Sequence, residues 1–142
     1  MGASIGSAIG LQVARPSQRV AVLCGDGGFA MACGDVSTAA RERCPIVFVV
    51  FNDQRLGMVE LGHQLLYGRT PTYGTGPIDF AALGRSMGAR AILVDRPGVI
   101  LDSPILRGPA DGPVVIDIRI DETMRVPRVD RFVPLGAPKI AA

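Results

Sequence analysis

The chain contains no tryptophan, two tyrosines, a single histidine, three cysteines and one lysine against fourteen arginines. Each scarcity closes off a class of function. Cys24, Cys33 and Cys44 form no C-x-x-C pair, and His63 is the one imidazole beside them, so a structural zinc site is a poor reading. An odd number of cysteines in apolar surroundings points to free thiols and a reducing, cytoplasmic setting. No run of basic residues exceeds two and the net charge is only +2, which argues against nucleic acid as a partner. The apolar start "MGASIGSAIGLQVARP" lacks a basic n-region and so makes a poor secretory leader. It is also too short and glycine-rich to span a membrane. Neither G-x-x-x-x-G-K-[ST] nor G-x-G-x-x-G occurs, so the chain carries no P-loop and no dinucleotide fingerprint.

What the chain does have is apolar periodicity. Its 142 residues, 48% of them apolar and 20% charged, suffice for one soluble domain with a core. Gly2, Gly6 and Gly10 recur every four residues and would form a smooth stripe on one helix face. Such a face suits either tight core packing or contact with a cofactor or partner subunit. Pro16 ends this helix. Strands are predicted at Val20 to Cys24, Ile46 to Phe51, Ala91 to Val94 and Pro113 to Ile120. Helices are predicted from Cys33 to Arg43 and from Ile78 to Ala89. The run "IVFVVF" is apolar on both faces and should be central in a parallel sheet. Strands alternating with helices predict an α/β fold, a three-layer sandwich with a mainly parallel sheet. The segment "RPGVILDSPILRGPADGP" should carry only a broken helix, because its prolines and glycines interrupt any long one. Residues 1–121 form the predicted domain and 122–142 an extended tail.

In a parallel α/β sheet, ligands bind beyond the carboxyl ends of the strands. Two strand ends stand out. "GDGG" follows the first strand and places Asp26 among glycines; "NDQRLGM" follows the second and supplies Asn52 and Asp53. One helix joins these strands, so they should be neighbours, with both acids at one edge. Oxygen ligands plus exposed carbonyls suit a hard cation such as Mg2+, and the glycines let main-chain N–H groups approach an anion. A helix starting soon after "GDGGF" would add the positive end of its dipole. The protein oxygens are too few to enclose the ion, so phosphate oxygens would complete the octahedron. The plainer alternative is a strand-to-helix turn in which Asp26 caps the helix.

Taken together, "GDGGFAM" (Gly25 to Met31), "FNDQRLGMV" (Phe51 to Val59) and the glycine helix before them resemble the thiamine diphosphate motif. In that motif Gly-Asp-Gly precedes an Asn pair, or Asn-Asp, by about 25 residues. The chain resembles the superfamily of acetolactate synthase, benzoylformate decarboxylase and pyruvate decarboxylase, and the resemblance reaches to about Asp121. It implies a diphosphate-binding domain, here of truncated form, with thiamine diphosphate and Mg2+ as cofactors. The implied metal ligands are the carboxylates of Asp26 and Asp53 and the carbonyl of Arg55. The implied cofactor contacts are Met1, Gly25, Gly27, Gly28, Asn52, Leu56, Gly57 and Met58. Met1 would wedge the bent cofactor, and Met58, Val59 and Gly62 would face the substrate. Asp53 stands where the family usually has Asn, and Asn52 turning inward is the alternative. Gly62 departs from the large aromatic of close acetolactate synthases, which puts strict acetolactate synthase activity in question.

The resemblance assigns no catalytic residue to this chain. The family's catalytic Glu belongs to a pyrimidine-binding domain, usually brought by a neighbouring subunit. The implied partners are therefore such a domain, of the same enzyme or of a partner chain, within a homo-oligomer. The chain is expected to be a portion of a 2-oxo acid decarboxylase or carboligase, inactive alone. A natural small subunit and a non-catalytic binding or assembly module are the alternatives. His63 reads as a solvated helix residue and Glu60 as a residue of the diphosphate side. Arg69 and Tyr73 are candidates for a cover over the site, or for plain loop.

Overall fold

Each of the four apolar runs forms a strand in the computed structural model, which describes residues 1–69, 71, 73–107 and 111–124. The strands are β1 (Val20–Gly25), β2 (Ile46–Asn52), β3 (Arg90–Val94) and β4 (Val114–Arg119). All pair in parallel, in the order β1-β2-β4-β3. The most apolar strand, β2, is therefore central, as its two-sided apolar character requires. In register, Gly25 pairs with Phe51 and Asn52 with Arg119. The chain thus leaves β1 and β2 side by side at the same sheet edge, where both polar motifs begin.

The helices are α1 (Ala3–Ala14), α2 (Asp26–Ala30), α3 (Asp35–Arg41), α4 (Gly57–Tyr67), α5 (Phe80–Ser86) and α6 (Val99–Asp102), and a 3-10 turn covers Pro104–Leu106. The expected helix from Cys33 is shorter, and a separate short helix precedes it. The expected helix from Ile78 starts at Phe80, because the Asp79 carboxylate accepts the Ala82 N–H at 2.7 Å and caps it. The proline-rich segment carries the two short pieces α6 and Pro104–Leu106, as its breakers predict. The expected tail lies outside the described residues from residue 125 onward.

The main core lies on one sheet face. Ile5 and Ala8 of α1, Val36 and Ala39 of α3, and Phe29 and Phe80 pack on Val22, Phe48, Val50 and Val115. Phe29 meets Phe48 and Phe80 edge-on, with centroids 6.2 and 5.4 Å apart. Such fully buried rings stabilise by about 2–3 kcal/mol each. Phe29 thereby anchors the "GDGGF" turn to the core. On the opposite face a smaller cluster joins Val94, Val114 and Ile116 to Val99, Ile100 and Ile105. Leu23 of β1, on that second face, is 68% exposed.

Of the two readings of the glycine stripe, core packing is the one the structure removes. The face α1 turns to the core carries Ile5, Ala8 and Gln12, not the glycines. Gly6 and Gly10 are exposed, and a methyl group at Gly10 would meet nothing within 4 Å. The spacing of 3 and 4 between the buried residues is the ordinary helix seam, and it runs beside the glycine stripe.

Candidate functional site

β1 ends at Gly25, and the chain turns directly into α2 with Asp26 as its first residue. Asp26 is only 4% exposed. Its Oδ1 accepts the N–H of Gly27 at 2.7 Å, while Oδ2 is buried with no hydrogen-bond partner. The plain capping alternative therefore does not describe it: the cap position is Gly25, and Asp26 keeps one oxygen bare. Burial raises the carboxyl above its ordinary pKa. The negative charge of Asp53 raises it further, against pulls from the N–H groups of Gly27, Arg55 and Gln54. The Asp53 interaction brings the two acidic loops within electrostatic reach of each other.

The second loop is shaped by Asn52. Alternation along β2 buries Phe48, Val50 and Asn52 on the core side and turns Phe51 outward. Asn52, at 1% exposure, donates from Nδ2 to the carbonyl of Ile78 at 3.1 Å and to Asp117 Oδ1 at 3.0 Å. Its own Oδ1 accepts the Gln54 N–H at 3.2 Å. That bond holds Gln54 at φ 60, a left-handed conformation uncommon for a side-chain-bearing residue. The turn is clamped from outside as well. Leu56 N–H donates to the Tyr73 carbonyl and Thr75 N–H to the Gln54 carbonyl, both at 2.9 Å. So Asn52, expected among the cofactor contacts, is corrected to a core strut that aims the loop. Counting alternate residues from Phe48 would have placed it there.

Beyond the two strand ends lies an open cavity of about 410 Å³. Met1, Gly25, Asp26, Gly27, Gly28, Asp53, Arg55, Leu56, Gly57 and Met58 all line it, so the tertiary fold gathers every other candidate residue in one place. Val59 lines it too. Gly62, expected to face the substrate, does not; Leu61 does, because it follows Met58 by three residues on α4. Phe51, Ile120 and Met124 are lining residues that sequence reasoning missed. Phe51 had a signal, being the outward residue at the end of a central strand. Ile120 and Met124 follow the carboxyl end of β4, beside that of β2, and only the strand order, which sequence spacing does not give, brings them there.

The fit of a diphosphate and a cation rests on two features. The first is the bare Asp26 Oδ2. The second is the clearance at Gly57, where a Cβ atom would fall 2.7 Å from Asp53 Oδ2. Only glycine lets that carboxylate and the start of α4 approach so closely. Among the described residues no three His, Cys, Asp or Glu side chains converge to hold a metal. A cation here would use two carboxylates, main-chain carbonyls and oxygens of the ligand.

Several lesser candidates fall outside the lining. Glu60 is buried and lies 3.6 Å from Arg55. His63 lies against Tyr67 with its ring tilted by 46° and centroids 4.6 Å apart, and its Nδ1 is 3.3 Å from the Arg69 carbonyl. Tyr73 supports the 54–56 loop through its carbonyl. The three cysteines are free, and burial pushes the Cys24 thiol up to about 11.

The pairing of a bare buried aspartate with a second acidic loop at adjacent parallel strand ends agrees with the sequence comparison. Residues 1–118 match the family described as thiamine pyrophosphate enzyme, C-terminal TPP binding domain. The chain belongs to that family. Acetolactate synthase of Bacillus subtilis is 34% identical over 121 residues, covering 85% of this chain and 21% of that protein. A probable acetolactate synthase large subunit of Methanococcus aeolicus is 34% identical over 140 residues, covering 96% and 22%. The thiamine diphosphate-dependent 4-hydroxybenzoylformate decarboxylase of Rhodococcus jostii superposes with a TM-score of 0.76 at 28% identity. That match covers 86% of this chain and 24% of the decarboxylase. The chain thus spans about a fifth to a quarter of the relatives it matches. The parallel α/β architecture is that of a TPP binding domain. No helix among the described residues is long and apolar enough to cross a membrane.

Proposed function

We propose that this domain holds thiamine diphosphate through a Mg2+ ion, as the diphosphate-binding part of a 2-oxo acid decarboxylase or carboligase resembling acetolactate synthase. The carboxylates of Asp26 and Asp53 and the carbonyl of Arg55 are the protein ligands to the metal. Gly28 and Gly57 bring main-chain N–H groups to the diphosphate, Gly27 and Leu56 line its place with their own N–H groups held by Asp26 Oδ1 and the Tyr73 carbonyl, and Met1 and Met58 supply apolar contact to the rings. The observation that carries the reading is the buried, unpartnered Oδ2 of Asp26, beside the cavity that Asp53 shares. An ionised oxygen out of water is costly unless a cation compensates it. The bound cofactor supplies an electron sink beside the carbonyl carbon of a 2-oxo acid.

The chain's own share of the chemistry is to bind and orient. The pyrimidine-binding domain comes from the rest of the enzyme or from a partner subunit, within a homo-oligomer, and turnover requires it. The open cavity and the exposed Met1, Leu23 and Met31 beside the site and on the uncovered face supply apolar surface for such contacts. The free thiols suit a cytoplasmic enzyme.

Thermal unfolding of the chain with thiamine diphosphate, with and without Mg2+, tests this reading. Both ligands together should raise Tm by several degrees, well beyond either alone, and Asp26→Ala should abolish the Mg2+-dependent shift. An equal shift in Asp26→Ala would remove the metal assignment.

A further inference from the structure

The site as drawn carries too much negative charge. Two carboxylates and a roughly trianionic diphosphate would share one divalent cation. The main-chain dipoles of α2, a helix of five residues, and of α4, whose first turn carries Glu60, offset only part of the surplus. Among the described residues that line the cavity, Arg55 brings the one cationic side chain. The Arg55 side chain is largely buried, with Nε 3.8 Å from Asp53 Oδ2 and Nη1 3.6 Å from Glu60 Oε2. Its Nη2 donates to the Glu122 carbonyl, just beyond β4. Nε is buried and closes no hydrogen bond, so its pull on Asp53 is electrostatic. Nη1 and Nη2 thus hold the group in place through fixed partners, with Nε turned to the acid. Residue 55 would therefore act on the site twice, through its main chain toward Asp26 and the metal and through its side chain toward Asp53.

The geometry points to Arg55 as a charge-balancing and positioning residue. Its guanidinium, shared between Glu60 and Asp53, offsets part of the Asp53 charge, so that a site with two acidic ligands still accepts a phosphoanhydride anion. This rests on the metal–diphosphate reading above and adds a sign that reading lacks. Removing the guanidinium makes the site more negative, so a bare cation should bind more tightly and an anion more weakly. A residue that merely braced the loop would weaken both.

The experiment is calorimetric titration of the chain with Mn2+ alone, then of the Mg2+-saturated chain with inorganic pyrophosphate and with thiamine diphosphate. Arg55→Gln should tighten Mn2+ about tenfold and weaken pyrophosphate about tenfold, the scale set by one charge a few ångströms from a divalent ion. Asp53→Asn combined with Arg55→Gln restores the original charge and should return both affinities to within about threefold of the parent. Arg55→Lys keeps the charge and should stay near the parent in both titrations. Arg55→Gln weakening both ligands together, or a double variant no better than the single one, would overturn the inference. So would a parent chain that binds no Mn2+. Binding of Mn2+ and pyrophosphate with the expected signs, but no binding of thiamine diphosphate, would uphold the Arg55 role and remove the cofactor assignment instead.

Discussion

Two buried aspartates lie near the same end of the sheet, and they are treated in opposite ways. Asp117, in the middle of β4, is 0% exposed and fully partnered. Its Oδ1 accepts from Asn52 at 3.0 Å, its Oδ2 accepts the Phe80 N–H at 2.9 Å, and Arg119 stands 3.6 Å away. It ties β2, the start of α5 and β4 into one knot. Asp26 is nearly as buried, yet one oxygen has no partner and the carboxyl pKa is raised. A buried charge that the protein satisfies is part of the frame. A buried charge that it leaves half satisfied is poised for something else.

The contrast is broken or sharpened most strongly by replacing the two acids in turn. Asp117→Asn should cost about 3 kcal/mol in denaturant unfolding, because an amide nitrogen would face a donor and Arg119 would lose its acidic partner. Asp26→Asn should change the stability of the ligand-free chain by about 1 kcal/mol or less, since the charge it removes is already strained. Equal losses at the two positions would erase the distinction between frame and site.

A smaller effect separates two glycines. Gly57→Ala should weaken Mg2+-dependent thiamine diphosphate binding about tenfold, because the new methyl would displace Asp53 Oδ2. Gly27→Ala should be milder, about threefold. Its Cβ would fall 2.5 Å from Leu56 Cδ2, the movable end of a flexible side chain. Isothermal titration of the two variants decides the order.

The smallest effect is in pH. The folded pKa of Asp26 is raised, so the folded state holds this proton more tightly than the unfolded chain does. Its contribution is fully present below the unfolded value of about 3.8 and is lost as pH rises through the folded value. The ligand-free chain should therefore show a stabilising contribution from this residue on mild acidification, which Asp26→Ala lacks. Mg2+ with thiamine diphosphate should reverse the trend, since the metal needs the ionised carboxylate. Tm against pH for both chains, with and without ligands, checks the sign.

Much of the fold was legible because apolar runs report burial directly. β1 to β4 fall within a residue of their expected bounds, and the centrality of β2 follows from its two apolar faces. The broken segment around Pro104 was legible for the same local reason, since proline and glycine act where they stand. The glycine stripe of α1 left two readings open, because small residues suit either close core packing or a face offered to a partner or cofactor, and only the neighbours removed the first. Asn52 misled because a polar residue at a strand end suggests a ligand, whereas strand parity sends its side chain into the core. Asp117 gave no warning at all: within "PVVIDIRI" it reads as the polar member of a strand, and its two hydrogen-bond partners, Asn52 and Phe80, lie far off in sequence.

By itself, then, the amino-acid order determined which segments are strands, that they pair in parallel, and that two acidic turns follow neighbouring strands. These are consequences of local periodicity and of short connections, which act within a few residues of their cause. Only the tertiary structure decided which carboxylate is satisfied and which is bare, which way Asn52 turns, and that the side chain of Arg55 lies against Asp53. Those outcomes depend on where distant N–H groups and charges come to rest, and sequence spacing does not encode that directly.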